Sequence, residues 1–493
     1  MSEYILAIDQ GTTSSRAMLY NRQLKMICSH SEPVSLLYPK PGWVEQDPEA
    51  LWQTVVSCIQ QLLQKAAIDS SQLAALALTN QRETTLLWDK HNGQALYNAI
   101  VWQDRRTADN CQALQAQQSV LQAKTGLLAD PYFSATKLQW LLDTLPEARA
   151  RAERAELCFG TVDSYLMWRL SGGKVHVTDA TNASRTLLFN IHNQQWDPEL
   201  IALFNIPPSV LPEVLDSAAE FCITDSSLFA KALPVLSVLG DQQAALLGHG
   251  CIKPGMLKST YGTGCFAMVN TGSQVHRSQH KLLSTIAWRL NGQCCYALEG
   301  SIFMAGAIIQ WLRDKLGIIQ QASDSELLAQ GVSYQQPELL IPAFTGLGAP
   351  HWQPKVQAAL LGLSRDSGKA DICAAALCSV AYQTEDLLQA MRADGIEITQ
   401  LRVDGGMTAN HWFLQALADL TQQEINRCHT SDASVFGTAA LCAVQLGWLQ
   451  SINDIAPLAQ SQQSYQPVLA VGIQQQLYQR WCLSVQQLIA QQL

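Results

Sequence analysis

Several short segments carry residue types that could handle a phosphate and an alcohol. The first is Asp9-Gln10-Gly11-Thr12-Thr13-Ser14-Ser15-Arg16. Gly11 permits a turn that aims successive N–H groups inward, and Thr12, Thr13 and Ser14 add hydroxyl donors. Arg16 adds positive charge, and Asp9 offers a carboxylate to a hydrated magnesium ion. Such a tip can cradle a phosphate, although an ordinary polar hairpin turn would use the same residues. Tyr261-Gly262-Thr263-Gly264 is a second small, polar tip. One cradle in each half would grip opposite ends of a triphosphate across a cleft. Gly306 and Gln310 lie one turn apart on a helix, away from Ile308, Ile309 and Leu312. A glycine there serves either close approach of a nucleotide or helix packing. Val403-Asp404-Gly405-Gly406 ends a strand and Asn410 opens a helix, a junction that can face a nucleotide or simply punctuate a loop.

For an alcohol acceptor the segments are Asn80-Gln81-Arg82-Glu83-Thr84 and Asp241-Gln242-Gln243. Arginine donates and ionised glutamate accepts, so Arg82 and Glu83 together suit neighbouring hydroxyls; a surface ion pair is the competing explanation. Asp241 follows the apolar run Val235–Leu239 and the bend at Gly240. It is the candidate general base, with capping of a helix from Gln242 to Leu247 as the alternative.

The elements that position these segments are readable from periodicity. Tyr4–Ile8 and Ala17–Tyr20 predict a β-hairpin around the first tip, and Met256–Thr260 and Phe266–Asn270 predict another around the second. A helix is expected from Pro48 to Lys65, with Asp47 as cap and Leu51, Val55, Ile59 and Leu62 on one face. Leu73–Leu78 reads as a strand buried on both faces. Further helices are expected at Phe303–Leu316, Ala370–Ala393, Trp412–Leu420 and Ser434–Leu446, with a strand at Leu401–Val403. The glutamine-rich tail beyond Ala459 predicts a surface-packed helix with the stripe Leu477, Trp481 and Leu488. The fold class is therefore α/β, with a duplicated architecture divided at residues 1–250 and 251–493.

Composition narrows the function classes. A chain of 493 residues with 48% hydrophobic and 15% charged side chains can bury two cores. The net charge of -9, without lysine or arginine runs, leaves no electrostatic footprint for nucleic acid or an anionic membrane. The 14 cysteines are scattered without zinc spacing, as in a reduced, cytoplasmic protein. No apolar stretch reaches the ~18 residues of a membrane span. P-loop, dinucleotide-fingerprint and protein-kinase motifs are all missing.

Taken in order, these segments resemble the FGGY carbohydrate kinases. The resemblance runs through Asp9–Arg16, Asn80–Thr84, Asp130-Pro-Tyr-Phe-Ser134 with Lys137 and Trp140, Gly240–Ala245, Tyr261–Phe266, Glu299–Trp311, Pro342–Pro350 and Val403–Gly406. It implies two actin-like, ribonuclease-H-like domains with a catalytic cleft between them, and ATP- and Mg²⁺-dependent phosphorylation of glycerol to sn-glycerol 3-phosphate. By the same resemblance Arg82, Glu83, Tyr132, Asp241 and Gln242 bind glycerol hydroxyls, and Trp102 and Phe266 cover its carbon face. Thr12, Thr13, Ser14 and Arg16 meet phosphates; Thr263, Gly306, Gln310, Gly406 and Asn410 meet the nucleotide; Asp9 organises magnesium. A homodimer and a homotetramer are both left open.

The chain departs from the family pattern at Cys378, at Gln357-Ala358 and at His411, which puts adenine-side contacts in question. The stretch Ser217–Pro234 has no glycine and one lysine, Lys231, so inhibition by fructose 1,6-bisphosphate through it is expected to be weak or absent. Rival readings are a kinase for a longer polyol or ketose such as xylulose, and a non-catalytic nucleotide-binding regulator on the same scaffold.

Overall fold

The apolar amino-terminal run forms β1, Tyr4–Gln10, which pairs antiparallel with β2, Ser14–Asn21, so that Asp9 lies opposite Arg16. Both strands run further than their apolar residues alone indicate, and the tip shrinks to Gly11-Thr12-Thr13, closed by a bond from Gly11 N to Ser14 O of 2.9 Å. In this computed structural model, which describes residues 3–229, 231–428, 432–459 and 461–491, β2 continues antiparallel to β3, Met26–Pro33. On the other flank of β1 lies β4, Leu73–Asn80, parallel to it and buried as its unbroken apolar run requires. The sheet is completed by β5, Ala218–Ile223, and β6, Pro234–Gly240, in the order β5-β6-β4-β1-β2-β3. Helix α1, Pro48–Ala66, covers one face: Asp47 accepts from Glu49 N, Pro48 occupies the first turn, and Leu51, Val55, Ile59 and Leu62 are buried. The short helix α2, Ser134–Thr144, lies between β4 and β5 in the chain.

A second sheet repeats the pattern. Its strands are β7 Met256–Tyr261, β8 Cys265–Gly272, β9 Leu283–Leu290, β10 Gln293–Ile302, β11 Gln400–Asp404, β12 Ile425–Cys428 and β13 Ser461–Tyr465, in the order β9-β10-β8-β7-β11-β12-β13. An antiparallel trio (β7, β8, β10) beside two parallel strands (β11, β12) mirrors β1, β2, β3 beside β4 and β6. Both units are thus ribonuclease-H-like, and each hairpin tip leaves its sheet at the same end.

The accompanying helices are α3 Asp241–Gly248, α4 Gly306–Asp314, α5 Lys369–Ala393, α6 His411–Thr421, α7 Ala433–Gln445 and α8 Val471–Gln491. Helix α4 is shorter than the predicted Phe303–Leu316. The second hairpin explains where it begins: Gly306 N donates to Gly262 O at 2.8 Å, and Ala305 N and Ala307 N donate to Thr263 O at 3.0 Å. Helix α8 is more than surface-packed. Its Trp481 is fully buried, stacks on Tyr382 at 5.2 Å and donates to Asp386 Oδ2 at 2.9 Å.

The two units are joined through α3 and α7, which cross with their backbones in contact. A Cβ on Gly248 would lie 1.8 Å from Ala433 O, and one on Gly437 would lie 1.9 Å from Ala244 O. Although it follows β12, α7 also packs on the first sheet: Thr438 Oγ1 donates to Leu78 O at 3.1 Å, and Val435, Phe436 and Ala439 share a core with Ile5, Ala7 and Leu239. Among the described residues, no helix is long and apolar enough to cross a membrane.

Candidate active site

Strands β1, β4 and β6 end in register, with Gln10 beside Asn80 and Asn80 beside Gly240. The first tip, Arg82 and Asp241 therefore emerge side by side from three consecutive strand ends. Directly after β4 the chain turns sharply: Thr84 N donates to Arg82 O at 2.7 Å and Glu83 takes φ 60. A left-handed conformation at a side-chain-bearing residue costs of order 1–3 kcal/mol and persists only when its surroundings impose it. Here Ser134 Oγ, from the first turn of α2, and Thr85 Oγ1 both donate to Glu83 O, at 3.1 and 3.0 Å.

That turn places Arg82 and Glu83 inside the protein, 2% and 1% exposed, so the surface ion pair is excluded. Arg82 donates twice to Glu299, at 2.6 and 3.1 Å. Arg185 bridges the remaining acids, donating to Glu83 at 2.6 Å and to Glu299 at 3.0 Å. Two guanidiniums and two carboxylates alternate, which satisfies charges that could not otherwise be buried. Burial pushes the Glu299 carboxyl up, but Arg185 and Arg82 together pull it down to about 2. For Glu83 burial wins and the carboxyl is raised.

Around the exposed side of this quartet runs a closed circuit of contacts. Arg82 Nη2 donates to Tyr132 OH at 3.3 Å, and Lys137 of α2 anchors Tyr132 through its carbonyl at 2.8 Å. The Tyr132 ring meets Trp102 edge-on at 5.6 Å, and Trp102 meets Phe266, from β8, at 6.2 Å. Lys258 Nζ of β7 donates to Phe266 O at 3.3 Å and, across the cleft, to Gln242 Oε1. Next to Gln242 is Asp241, whose Oδ1 lies 3.5 Å from Arg82 Nε, closing the ring. Six of the seven residues assigned to the acceptor, together with Lys258, are thus linked in one ring with polar groups on one side and aromatic rings on the other, while Glu83 is buried behind Arg82 and paired with Arg185.

Within the ring, Asp241 is the open carboxylate, with its side chain 32% exposed. It occupies the first helical position of α3 rather than the cap, which is Gly240, and its Oδ1 accepts from Gln242 N at 2.7 Å. Capping alone therefore does not account for it. Burial raises its pKa while Arg82 and Lys258 oppose the rise, and a carboxylate made more basic than usual is the better proton acceptor. Lys258 itself is pushed below the usual lysine range by burial, with Asp404, Asp241 and Glu299 opposing the shift.

The tip of the first hairpin adjoins this ring. Trp102 Nε1 donates to Thr12 Oγ1 at 2.9 Å, so Thr12 stands at the border between acceptor and tip. Thr13 is exposed and Ser14 half-buried at the start of β2. Arg16 pairs at 2.7 Å with Asp432, just ahead of α7, which ties the first hairpin to the second half of the chain. Burial and the neighbouring charge of Asp241 raise Asp9 to about 7, with Arg16 opposing and Asp432 adding to the rise. Carboxylates gathered so that one resists ionisation are the oxygen donors a hard divalent cation selects, and the residues present fit hydrated Mg²⁺.

On the far side, a cavity of about 360 Å³ opens between the second hairpin, α4, α5, residues 322–326 and the turn ahead of α6. Thr263, Gly306, Gln310, Gly406 and Asn410 all line it, with Ile309, Leu377 and Met407 as apolar walls. Two glycines are required here by geometry. A Cβ at Gly306 would meet Gly262 O at 2.6 Å, and Gly405 has φ +95 with Tyr261 O 2.4 Å from a built Cβ. Asn410 caps α6 through Phe413 N at 2.8 Å. None of Cys378, Gln357, Ala358 or His411 is among the lining residues. His411 turns its ring to Tyr465 OH, and Cys378 is buried within α5. β5 and β6 pair antiparallel on either side of Lys231, and Lys231 Nζ donates to Ser71 O at 2.8 Å.

The roles of four residues escaped the sequence reading, one of which, Glu299, was noted only as the start of a matching segment. Lys258 and Glu299 interrupt the otherwise uncharged runs Met256–Tyr261 and Tyr296–Ile302, and a charge inside a buried strand is the signal that could have found them. Arg185 and Asp432 meet their partners across 102 and 416 residues, for which no local pattern exists.

Comparison with known proteins agrees with this geometry. Residues 4–248 match the family described as FGGY family of carbohydrate kinases, N-terminal domain, and residues 257–446 match its C-terminal domain. Glycerol kinase of Coxiella burnetii (strain RSA 331 / Henzerling II) is 50% identical over 489 residues, covering 99% of this chain and 98% of its own. Glycerol kinase 1 of Pseudomonas aeruginosa is 51% identical over 483 residues, 98% of each chain. The crystal structure of Plasmodium falciparum glycerol kinase with ADP aligns with a TM-score of 0.93 at 31% identity, covering 98% of both chains. Gluconate kinase from Lactobacillus acidophilus, 21% identical with a TM-score of 0.90 over 99% and 98% of the two chains, shares the fold.

Proposed function

The chain belongs to the FGGY family of carbohydrate kinases, and we propose that it transfers the γ-phosphoryl group of ATP to a terminal hydroxyl of glycerol, giving sn-glycerol 3-phosphate and ADP in the cytoplasm. The observation that carries this reading is the closed circuit of Arg82, Tyr132, Trp102, Phe266, Lys258 and Gln242 around the open carboxylate of Asp241. It is a pocket for a short polyol, with Arg82 and Gln242 as donors, Asp241 and Glu83 as acceptors, and Trp102 and Phe266 against the carbon chain.

In the mechanism, the terminal O–H gives its proton to the Asp241 carboxylate as that oxygen attacks the γ-phosphorus in line. The bond from γ-phosphorus to the bridging oxygen breaks, and ADP leaves with the electron pair. Thr12, Thr13, Ser14 and Arg16 hold the phosphates from the first unit. Thr263 with Gly306, Gln310, Gly406 and Asn410 holds the nucleotide from the second, so that closing the cleft brings donor and acceptor together. Asp9 and Asp432 would hold hydrated Mg²⁺, which when bound neutralises charge on the triphosphate oxygens.

The test is an acceptor panel of glycerol, erythritol and xylulose with purified protein, ATP and magnesium, read by coupled ADP release. Glycerol is expected to exceed xylulose in kcat/KM by about 100-fold or more, because the edge-on Trp102–Phe266 wall leaves little room for a five-carbon chain. Preference for xylulose, or ADP release independent of any acceptor, would overturn the reading.

A further inference from the structure

We propose that Lys258 fixes which end of the Gln242 amide faces the acceptor, and thereby makes that position of the pocket a hydrogen-bond donor. The inference deepens the glycerol reading and rests on it. Lys258 is fully buried in the middle of β7, in the second unit, whereas Gln242 belongs to the first turn of α3. Three acceptors surround its Nζ: Gln242 Oε1, Phe266 O at 3.3 Å and Thr260 Oγ1 at 3.4 Å. An ammonium has three hydrogens and no lone pair, so the amide must turn its oxygen toward Lys258. The two Nε2 hydrogens are then left for the pocket. There Asp241 is their neighbour, its Oδ1 held by Gln242 N at 2.7 Å, and the oxygen of a bound hydroxyl is their partner.

The consequence is a division of labour between adjacent residues. Asp241 takes a hydroxyl hydrogen, and Gln242 gives one to a hydroxyl oxygen. Without Lys258 nothing holds the amide oxygen away from the pocket, and the amide is free to present that oxygen to the acceptor. Lys258 is therefore a positioning residue acting through Gln242, and it also couples the acceptor to the strand that leads into the second hairpin.

The test uses the full-length enzyme and the acceptor that the wild type has been shown to use, so that a failed acceptor panel and a failed positioning role are separate results. Lys258→Met keeps the length of the side chain and removes all three donors. It is expected to lower kcat/KM for glycerol by about 10–100-fold, the range for one hydrogen bond to a charged group, while KM for ATP stays within about twofold. Gln242→Ala should cost a similar factor, and the double variant should be no worse than the poorer single variant by more than about twofold. Independent, multiplying losses, or wild-type kcat/KM in Lys258→Met, would overturn the proposal. Should Lys258→Met fail to fold, Gln242→Glu decides. Its carboxylate still accepts from Lys258 but offers no N–H to the pocket, so the same loss of glycerol kcat/KM is expected, and retained activity would refute the assignment.

Discussion

Replacing Asp9 with Asn should stabilise the protein in a pH-dependent way while abolishing its chemistry. Burial and the charges of Asp241 and Asp432 hold the Asp9 carboxyl at about 7 against an ordinary 3.8. A group whose pKa is raised on folding contributes stability that is complete below the unfolded pKa and is lost as pH rises through the folded one. The wild type should therefore lose stability between about pH 4 and pH 7, to a ceiling of about 4 kcal/mol for a shift of about three units. Asn carries no charge and lacks this slope. At about 2 °C per kcal/mol, the melting temperature of Asp9→Asn should exceed the wild type by only about 2 °C at pH 4.5 and by up to about 8 °C at pH 8. The assay is a thermal melt in EDTA at pH 4.5, 6 and 8. A difference that does not change with pH, or a variant less stable at pH 8, would refute the electrostatic account of this carboxylate.

Three further outcomes follow from the same geometry. Glu299→Gln leaves Arg82 and Arg185 without their shared counter-ion and should cost about 3–5 kcal/mol in denaturant unfolding. Because Glu299 is held at about 2, its contribution is present above the ordinary carboxylate range and lost only as pH falls toward 2, so the cost should be constant from pH 5 to 8. Gly437→Ala puts a Cβ 1.9 Å from Ala244 O, forcing α3 and α7 apart; a loss of about 1–3 kcal/mol is expected, and an unchanged melting temperature would contradict the crossing. Trp102→Ala removes the centre of the aromatic wall and the bond to Thr12, so KM for glycerol should rise about tenfold or more while longer polyols gain relative to it in the same ADP assay.

Local chemistry was legible in the sequence wherever the structure satisfies it locally. Asp47 and Pro48 start α1, both hairpins form around their small polar tips, and the five residues assigned to the nucleotide line one cavity. What stayed hidden depends on distant partners. The adjacent pair Arg82 and Glu83 looks like surface until Arg185 and Glu299, 102 and 217 residues away, supply the charges that permit burial. Helix α4 starts three residues late because the second hairpin takes its first N–H groups. Trp481 sits in a glutamine-rich tail that reads as surface, and only the stacked Tyr382 and the acceptor Asp386 explain its complete burial.

In the proposed reaction Asp241 removes a proton from an alcohol that shares the cleft with the nucleotide. Rapid-quench measurement of a single turnover in Asp241→Asn, alongside titration of ADP binding, tests this directly. Nucleotide affinity should remain within about twofold while phosphoryl transfer to glycerol falls by about two decades or more. Transfer at close to the wild-type rate would contradict it.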